Sequence, residues 1–262
     1  MSQHQEKATI IKFEQLSGEN IRLTLHAPLI AGSAKPGQFV MIQTGAGRDP
    51  LLRRPFSLHQ TSSNGHIQIY LKNVGRGTDI LAHSKIDEIL DVFGPLGRGF
   101  VIHYDQPACL VGGGLGIAPL LFLAKCLYRS SKDNSRDLVI LGGRTKGEVE
   151  PLVDDFQQFG IQVHCTTDDG SYGMKGFVTD TLKSESVIKN SQVYACGPDA
   201  MLARVYQICR EKNAGCQVSV ETVMACGMGA CLGCNIPAKD GSYVHVCIDG
   251  PVFNAEDLVW SL

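Results

Sequence analysis

The stretch Ala108-Cys-Leu-Val-Gly-Gly-Gly-Leu-Gly-Ile-Ala-Pro119 decides the fold, because it joins a strand pattern to a helix pattern through a glycine turn. The apolar run Ala108–Val111 predicts a buried strand, Gly112–Gly116 a tight turn, and Ile117–Tyr128 an apolar-faced helix. Strand and helix patterns then alternate from about Gln106 to Glu221. Such alternation is typical of βαβ units, so we predict a central α/β domain with a parallel sheet.

The glycine turn itself has two interpretations. At the start of a helix in an α/β sheet, a glycine-rich turn presents free amides to a phosphate. A tight strand–helix turn without a ligand would show the same residues. Its place at the start of the alternating region favours nucleotide binding.

The residues that precede this turn have a β pattern. Six short runs from Ala8 to about Phe100 are alternating or β-branched, and Gly, Pro, Ser and Asn separate them. The runs are Thr9–Phe13, Asn20–His26, Gln38–Gln43, Arg54–His59, His66–Leu71 and Ile89–Phe93. They predict a small antiparallel barrel.

Two basic residues, Arg53 and Arg54, fall inside one predicted barrel strand. Considered alone, they are better explained by an exposed strand end, because basic residues are common on exposed faces. The turn Gly75–Thr78, which precedes a helix-like stretch, changes that balance because it also suits an anion. In that setting Arg54 can hold a diphosphate, Phe56 can stack on a flat ring, and Ser57 can hydrogen-bond a ring nitrogen.

Four cysteines near the C-terminus form the sequence Cys226-Gly-Met-Gly-Ala-Cys231-Leu-Gly-Cys234, with Cys247 further along the chain. The spacing C-x4-C-x2-C with a distant fourth cysteine is that of a plant-type [2Fe-2S] cluster. Tetrahedral zinc is the alternative, since zinc also binds four thiolates. Zinc sites usually contain two C-x2-C pairs, however, and this sequence has one.

The composition excludes several classes of protein. The chain has 262 residues, a formal net charge of −2 and ten cysteines. Near-neutral charge gives no indication of a nucleic acid partner or of electrostatic membrane attachment. With no signal-peptide pattern and no membrane-length apolar run, we expect a cytoplasmic protein with reduced cysteines. Most of the six cysteines outside the C-terminal set are expected to serve packing.

Taken together, these motifs resemble the ferredoxin–NADP reductase superfamily. The resemblance rests on the order of barrel, R-P-F-S strand, glycine turn, G-G-G-L-G-I-A-P turn, C-G-P strand end and C-terminal cysteines. Within the superfamily, M-A-C-G-M-G-A-C-L-G-C and V-C-I-D-G-P-V-F resemble the electron-transfer subunits of dihydroorotate dehydrogenase B. The resemblance implies FAD on the barrel, NAD on the α/β domain and a [2Fe-2S] cluster that faces a partner subunit.

The resemblance also implies roles for particular residues. It predicts that FAD contacts Arg54, Pro55, Phe56, Ser57, Tyr70, Leu71, Lys72, Gly77 and Thr78. It predicts that NAD contacts Gly113, Gly114, Gly116, Cys196 and Gly197, and that Cys226, Cys231, Cys234 and Cys247 bind the cluster. The usual flavin strand is R-x-Y-S, so Phe56 keeps the ring but lacks a hydroxyl. Lys72 as a solvated residue and Cys196 as a buried structural thiol are the alternatives.

The choice between NAD and NADP depends on Thr166–Tyr172, which follows a predicted strand. Carboxylates of Asp168 and Asp169 would suit ribose hydroxyls and repel a 2′-phosphate, which favours NAD. A solvated turn is the alternative interpretation of the two aspartates. Arg144 and Lys175 are close in sequence and could reach a phosphate.

We therefore expect a β plus α/β protein with an FAD-binding barrel (1–103), an NAD-binding domain (104–221) and a [2Fe-2S] region (222–262). The resemblance implies an α2β2 complex in which an FMN-containing catalytic subunit oxidises dihydroorotate, in pyrimidine biosynthesis, and this chain delivers the electrons to NAD+. No residue is predicted to act as a catalytic acid or base. A surface of Met224, Met228, Leu232 and Val252–Phe253 is expected to dock the partner.

Three other functions are compatible with the sequence. One is the small subunit of a related complex, such as NADH-dependent ferredoxin:NADP oxidoreductase or a sulfhydrogenase. The first of these relatives tends to have an aspartate where this chain has Cys226. The second is a ferredoxin-like electron carrier, which would not need a barrel and a nucleotide domain. The third is a redox-sensing binding module that has lost catalysis.

Overall fold

The computed structural model describes residues 2–45, 47, 49–130, 136–185 and 188–260. The N-terminal half contains six long strands, β1 His4–Ser17, β2 Asn20–His26, β3 Phe39–Gln43, β4 Arg54–Thr61, β5 His66–Lys72 and β6 Ile89–Leu96. They pair antiparallel and close into a barrel in the order β1-β2-β5-β4-β3-β6. The predicted barrel is thereby confirmed, and each of the six predicted runs lies within or overlaps one of its strands.

Alternate side chains of these strands fill the barrel. Val40 and Ile42 of β3, Leu58 of β4 and Ile69 of β5 are all 0% exposed and belong to one hydrophobic cluster. The helix α2 Arg76–Ala82 adds Leu81 to this cluster. A short helix, α1 Pro28–Ser33, was not predicted, because six residues show too little of a helical period.

The second half of the chain forms an α/β sheet. Its strands include β7 Ala108–Gly113, β8 Leu138–Gly143, β9 Gln162–Thr167, β10 Met174–Lys175, β11 Gln192–Cys196 and β12 Gly215–Ser219. The helices are α3 Leu120–Ser130, α4 Lys146–Gln157, α5 Val178–Ser184 and α6 Asp199–Lys212. These strands are parallel, as the alternating pattern predicted.

Two boundaries differ from the prediction. The helix expected from Ile117 begins at Leu120, because Gly114–Ile117 form a 3₁₀ turn before it. The strand expected to reach Glu221 ends at Ser219.

The C-terminal region adds β13 Asn235–Pro237, β14 Tyr243–His245 and β15 Val252–Asn254. The strands β13 and β14 pair antiparallel and form a small hairpin. The strand β15 was not predicted, and it pairs antiparallel with β12 to complete a seven-stranded sheet in the order β10-β9-β8-β7-β11-β12-β15. Val252 is consequently buried, and Phe253 packs partly buried against the core. The prediction that Val252 forms part of a docking surface was therefore wrong, and for the partly exposed Phe253 it stays a prediction.

Helix α4 forms one of the contacts between the barrel and the α/β domain. Arg22 of β2 forms ion pairs with Glu14 of β1 and with Asp155 of α4. The Ser17 hydroxyl donates a hydrogen bond to the Gly147 carbonyl, also in α4. Across residues 2–260, apart from the gaps given above, we find no helix long and apolar enough to cross a membrane.

Candidate cofactor and cluster sites

Arg54, at the start of β4, lies over the first turn of α2. A Cβ added at Gly77 would lie 3.1 Å from Arg54 Cγ, 3.2 Å from Arg54 Nε and 3.2 Å from Thr44 Oγ1. Any side chain at Gly77 would therefore fill the space between the guanidinium and the helix. The Thr44 hydroxyl is buried and has no hydrogen-bond partner among the described residues. A buried hydroxyl beside a guanidinium and helix amides suits an anionic ligand such as a diphosphate.

The Thr78 hydroxyl is used within the helix. It accepts hydrogen bonds from the amides of Val74 and Gly75, each at 3.0 Å, and so caps α2. A contact between Thr78 and a phosphate thus remains a prediction that depends on its backbone amide rather than its hydroxyl.

The other predicted FAD contacts on β4, here called the flavin strand, lie on two faces of the barrel wall. Phe56 pairs with Val40 and belongs to the barrel cluster, with 9% of its surface exposed. Ser57 pairs with Phe39, which packs with the α/β sheet. The predicted stacking of Phe56 is therefore limited to a small exposed part of its ring. Pro55 pairs with Met41 of β3.

A cavity of about 590 Å³ separates the barrel from the carboxyl ends of the sheet strands. On the barrel side it is lined by Tyr70 and Lys72, and on the sheet side by Gly113 and Gly114. Two groups of residues that were predicted to contact different cofactors thus share one cavity. Leu71 points the other way, into the barrel cluster.

The opposite wall of the cavity contains residues that suit a nucleotide. Thr166, at the end of β9, is 1% exposed, and its hydroxyl has no partner within the described part of the chain. Phe177 lies on the rim and is 64% exposed, which offers a flat apolar face to solvent. An unpaired buried hydroxyl and an exposed ring in one cavity fit a ligand with polar ribose groups and an aromatic base.

Gly116 holds the glycine turn Gly112–Gly116, here called the nucleotide turn, against the end of β11. A Cβ added there would lie 2.2 Å from the Cys196 carbonyl oxygen and 2.5 Å from the Gly197 amide nitrogen. Two backbone segments thus touch where a larger residue cannot fit. The structure brings together these three residues that were predicted to contact NAD. Cys196 itself is buried, and burial raises the pKa of its thiol.

Lys72 is part of a chain of charges that crosses the cavity. Its Nζ lies 3.1 Å from Glu148 Oε1 of α4, and Glu148 in turn receives the Arg144 guanidinium at 2.6 Å. Partial burial acts to raise the pKa of Glu148, but hydrogen bonds from Arg144 and Lys72 outweigh it and lower the pKa to about 2. Glu148 therefore remains charged and forms ion pairs with both cations. Lys72 as a freely solvated residue is excluded.

The two aspartates of the turn after β9, Asp168 and Asp169, have different surroundings. Asp168 lines the cavity, where its charge can face a ribose. Asp169 accepts hydrogen bonds from the Ser171 amide and hydroxyl, so it stabilises the turn. Lys175 packs against Gly170 in the same turn, and Arg144 lines the cavity but is paired with Glu148.

The four C-terminal thiols are arranged as two pairs. Cys226 and Cys231 are in side-chain hydrogen-bonding contact, and so are Cys234 and Cys247. The second pair is brought together by the hairpin, because the Val246 amide donates to the Cys234 carbonyl at 3.0 Å. Within the described ranges, no group of three or more His, Cys, Asp or Glu side chains is spaced to hold a single metal ion. Two pairs suit a cluster with two irons better than one tetrahedral zinc.

Backbone amides surround these thiols. The Gly229 amide donates to Cys247 Sγ at 3.2 Å, and the Cys231 amide donates to Cys226 Sγ at 3.4 Å. Partial burial opposes ionisation of Cys226, yet the amides of Met228 and Cys231 lower the pKa of its thiol to about 7. Burial and the contact with Cys234 raise the pKa of Cys247 to about 12. Amides aimed at sulfur are the usual means by which proteins stabilise cluster thiolates.

The loop that contains Cys226, Cys231 and Cys234, here called the cluster loop, packs directly on the barrel. Gly227 has a positive φ of 73°, and a Cβ on it would lie 2.6 Å from Met41 Cγ. Met41 pairs with Pro55 of the flavin strand. Met41 is thus the one residue between the cluster loop and the predicted flavin site.

Sequence reasoning missed several residues of these sites, namely Met41, Thr44, Glu148, Phe177 and Ser219. Ser219, at the end of β12, hydrogen-bonds the Cys196 thiol. For two of these residues the sequence contained an indication: Thr44 directly follows a strand, and Ser219 is the last residue of one. Ligands of α/β sheets gather at the ends of strands. The exposure of Phe177 and the pairing of Glu148 depend on tertiary contacts.

Comparison with known proteins agrees with this arrangement. A family model described as the iron-sulfur cluster binding domain of dihydroorotate dehydrogenase B matches residues 221–259, and an oxidoreductase NAD-binding domain matches residues 110–207. The dihydroorotate dehydrogenase B (NAD(+)) electron transfer subunit of Geobacillus kaustophilus is 39% identical over 260 residues, covering 97% of this chain and 98% of the relative. The chain belongs to this family of electron transfer subunits. The subunit from Fusobacterium nucleatum is 37% identical over 261 residues, with 97% and 98% coverage.

Solved structures show the same fold. The chain is 33% identical to a structure described as an NADH-dependent reduced ferredoxin-NADP oxidoreductase, with a TM-score of 0.85 over 97% of this chain and 90% of the other. A ferredoxin reductase of carbazole 1,9a-dioxygenase matches at 20% identity and a TM-score of 0.71, over 82% and 67% of the two chains, which shows the fold alone.

Family membership confirms several predictions. The chain is an oxidoreductase subunit with an electron-transfer function, and it contains an iron–sulfur binding domain and an NAD-binding domain. The family name also implies a catalytic partner subunit.

Proposed function

We propose that this chain takes electrons from an FMN-containing catalytic subunit that oxidises dihydroorotate, and passes them through a [2Fe-2S] cluster and FAD to NAD+. The flavin is supported by the structure at 33% identity, which is described in terms of flavin-based electron bifurcation. The proposal includes an α2β2 complex, a cytoplasmic location, a role in pyrimidine biosynthesis, and the three domains 1–103, 104–221 and 222–262.

The observation that carries this proposal is the contact between the cluster loop and the flavin strand. Gly227 packs on Met41, and Met41 is paired with Pro55. An electron that leaves the thiol site therefore has a short, packed route to a flavin beside β4. Residues Met228 and Leu232 of the same loop are 50% and 54% exposed, so they are available to a partner.

The fit of the residues to each group supports the site assignments. The proposed cluster ligands are Cys226, Cys231, Cys234 and Cys247, whose thiolates the surrounding amides stabilise. For FAD the proposed contacts are Arg54, Pro55, Phe56, Ser57, Tyr70, Leu71, Lys72, Gly77 and Thr78, with Thr44 added from the structure. For NAD they are Gly113, Gly114, Gly116, Cys196 and Gly197.

FAD, when bound, exchanges single electrons with an iron–sulfur centre and a hydride with a nicotinamide. The protein's contribution is to position these groups. Tyr70 and Lys72 face Gly113 and Gly114 across a cavity that is shared by the two sites, which allows two rings to meet. Glu148 pairs with Lys72 and Arg144 at the cavity wall, and Asp168 disfavours an additional phosphate.

The test is to purify the chain with its catalytic subunit and to measure NADH formation from dihydroorotate and NAD+. The proposal expects that the complex forms NADH and that neither subunit does so alone. A stable complex with full cofactor content that forms no NADH from dihydroorotate would refute the proposed substrate.

A second function is favoured by one observation, the 33% identity and TM-score of 0.85 to an NADH-dependent ferredoxin-NADP oxidoreductase structure. In that case the chain would serve a ferredoxin-dependent complex. Isolation of the chain from its native cells with a tag would distinguish the two, since the partner would be either a dihydroorotate dehydrogenase or a ferredoxin-linked protein.

A further inference from the structure

A histidine outside the sites described so far lies at the contact between barrel and nucleotide turn. His59, in β4, is 0% exposed. It lies two residues after Ser57 on the flavin strand, and its ring is 5.8 Å from the Tyr70 ring, centroid to centroid. Tyr70 lines the shared cavity, so His59 supports the cavity wall from behind.

One ring nitrogen of His59 makes a defined bond across the domain boundary. Its Nδ1 lies 2.7 Å from the Ala118 carbonyl oxygen. Because a carbonyl oxygen only accepts, Nδ1 must carry the hydrogen. Burial lowers the pKa of His59 to about 4, so the ring is neutral at physiological pH. Its Nε2 is then an acceptor, and it has no partner among the described residues.

Filling space does not by itself explain a histidine at this position. Burying a neutral imidazole with one unpaired nitrogen is unfavourable, and a leucine would fill much of the same space but would leave the Ala118 carbonyl without this donor. What histidine adds is the Nδ1–H donor to Ala118. That donor is consequently the property of His59 that needs an explanation.

Ala118 lies at a point that controls the nucleotide turn. It follows the 3₁₀ turn Gly114–Ile117, its amide bonds the Leu115 carbonyl at 2.9 Å, and α3 begins two residues later at Leu120. In the same turn Gly116 touches Cys196 and Gly197. A bond to Ala118 thus fixes the turn relative to β4.

We infer that His59 is a positioning residue that holds the nucleotide turn in register with the flavin strand. The inference rests on the proposed function, because it assumes that a flavin beside β4 reacts with a nicotinamide beside the turn. Reacting atoms need alignment to within a fraction of an ångström, and a single hydrogen bond between the two supporting segments provides it.

The test uses the full-length chain carrying FAD and cluster, in wild-type form and as His59→Leu, His59→Asn and Ile67→Ala. Leucine keeps volume without a donor, whereas asparagine restores an N–H near Nδ1. Ile67 is fully buried in the barrel cluster and controls for lost stability. Stopped-flow reduction of the flavin by NADH gives a limiting rate and a dissociation constant, and thermal denaturation gives the midpoint.

We expect His59→Leu to lower the limiting rate by about tenfold or more, with FAD content unchanged, and His59→Asn to recover most of the loss. A wild-type rate in His59→Leu would overturn the inference. So would an equal loss in Ile67→Ala at the same change in midpoint, or an asparagine variant as slow as the leucine variant.

Amide hydrogen exchange provides a readout that does not depend on activity. Exchange in residues 112–121 should be about tenfold faster in His59→Leu than in the wild type, the factor for one ordinary hydrogen bond, and should return towards wild type in His59→Asn. Equal exchange in all three proteins would contradict the inference. A wild-type holoprotein that NADH does not reduce would instead refute the proposed function, and the exchange data would still decide the role of His59.

Discussion

Replacing Gly116 by alanine is expected to disrupt the junction between the nucleotide turn and β11. The added Cβ would lie 2.2 Å from the Cys196 oxygen and 2.3 Å from the Cys196 carbonyl carbon. An ordinary carbon–oxygen contact is about 3.3 Å, so the two segments must separate by roughly 1 Å. Both contacts are backbone, and no flexible side chain can move aside.

The size of the effect follows from this overlap. Overpacking a rigid site costs about 1–3 kcal/mol, and the backbone contact places Gly116→Ala near about 3 kcal/mol. For a chain of this length the melting temperature should fall by roughly 6–12 °C. A displacement of about 1 Å between turn and strand end should also slow hydride transfer by up to about a hundredfold.

The assay is thermal denaturation of the FAD- and cluster-loaded protein, followed by stopped-flow reduction of the flavin by NADH. Gly114→Ala is the matched control, because no atom lies within 4 Å of its added Cβ although its φ is 57°. That variant should lose only about 1–2 kcal/mol from backbone strain. A Gly116→Ala protein with a midpoint and a rate equal to those of wild type would refute the packing argument.

Three further predictions concern the cavity. Partial burial acts to raise the pKa of Glu148, but pairing with Arg144 and Lys72 outweighs it and lowers the pKa from 4.5 to about 2. These pairs therefore stabilise the fold above about pH 4.5. Glu148→Gln should therefore be less stable than wild type by about 1 kcal/mol at pH 7, and denaturant titrations should show this difference vanish as the pH falls towards 2. Asp168→Ala should raise kcat/KM for NADPH relative to NADH by about tenfold, and an unchanged ratio would exclude Asp168 from nucleotide selection. Phe177→Ala should raise KM for NADH by about tenfold with little change in kcat, as expected from loss of a stacking face; a change confined to kcat would contradict this.

The architecture was largely predictable because its signals are local. The alternation in runs such as Asn20–His26 indicates barrel strands whatever their neighbours, and Ala108–Pro119 contains strand, turn and helix start in one segment. Cysteine spacing likewise indicates the type of cluster without knowledge of the fold. The strand β15 was missed because three residues, Val252–Asn254, show no period, and its pairing with β12 depends on chain segments far apart in sequence.

The details of the sites were less predictable because they depend on tertiary packing. Lys72 was identified as a flavin residue, but its ion pair with Glu148 joins a barrel strand to a helix of the other domain. Thr78 was expected to contact a phosphate, and the sequence did not show that its hydroxyl caps α2. The sequence gives no sign of a role for His59, because its burial and its hydrogen bond to Ala118 depend on tertiary packing.

The central claim, that electrons enter through the four-thiol site and leave through the shared cavity, is tested most directly by Cys234→Ser in the complex with the catalytic subunit. Cys234 is buried beside Cys247, and Cys216→Ser is the control for loss of a thiol elsewhere. The measurement is NADH formation from dihydroorotate, compared with reduction of ferricyanide by NADH in the same samples. We predict that Cys234→Ser abolishes the first activity and keeps the second within about twofold of wild type, because the flavin and nucleotide sites remain intact. NADH formation from dihydroorotate at the wild-type rate in Cys234→Ser would contradict the account.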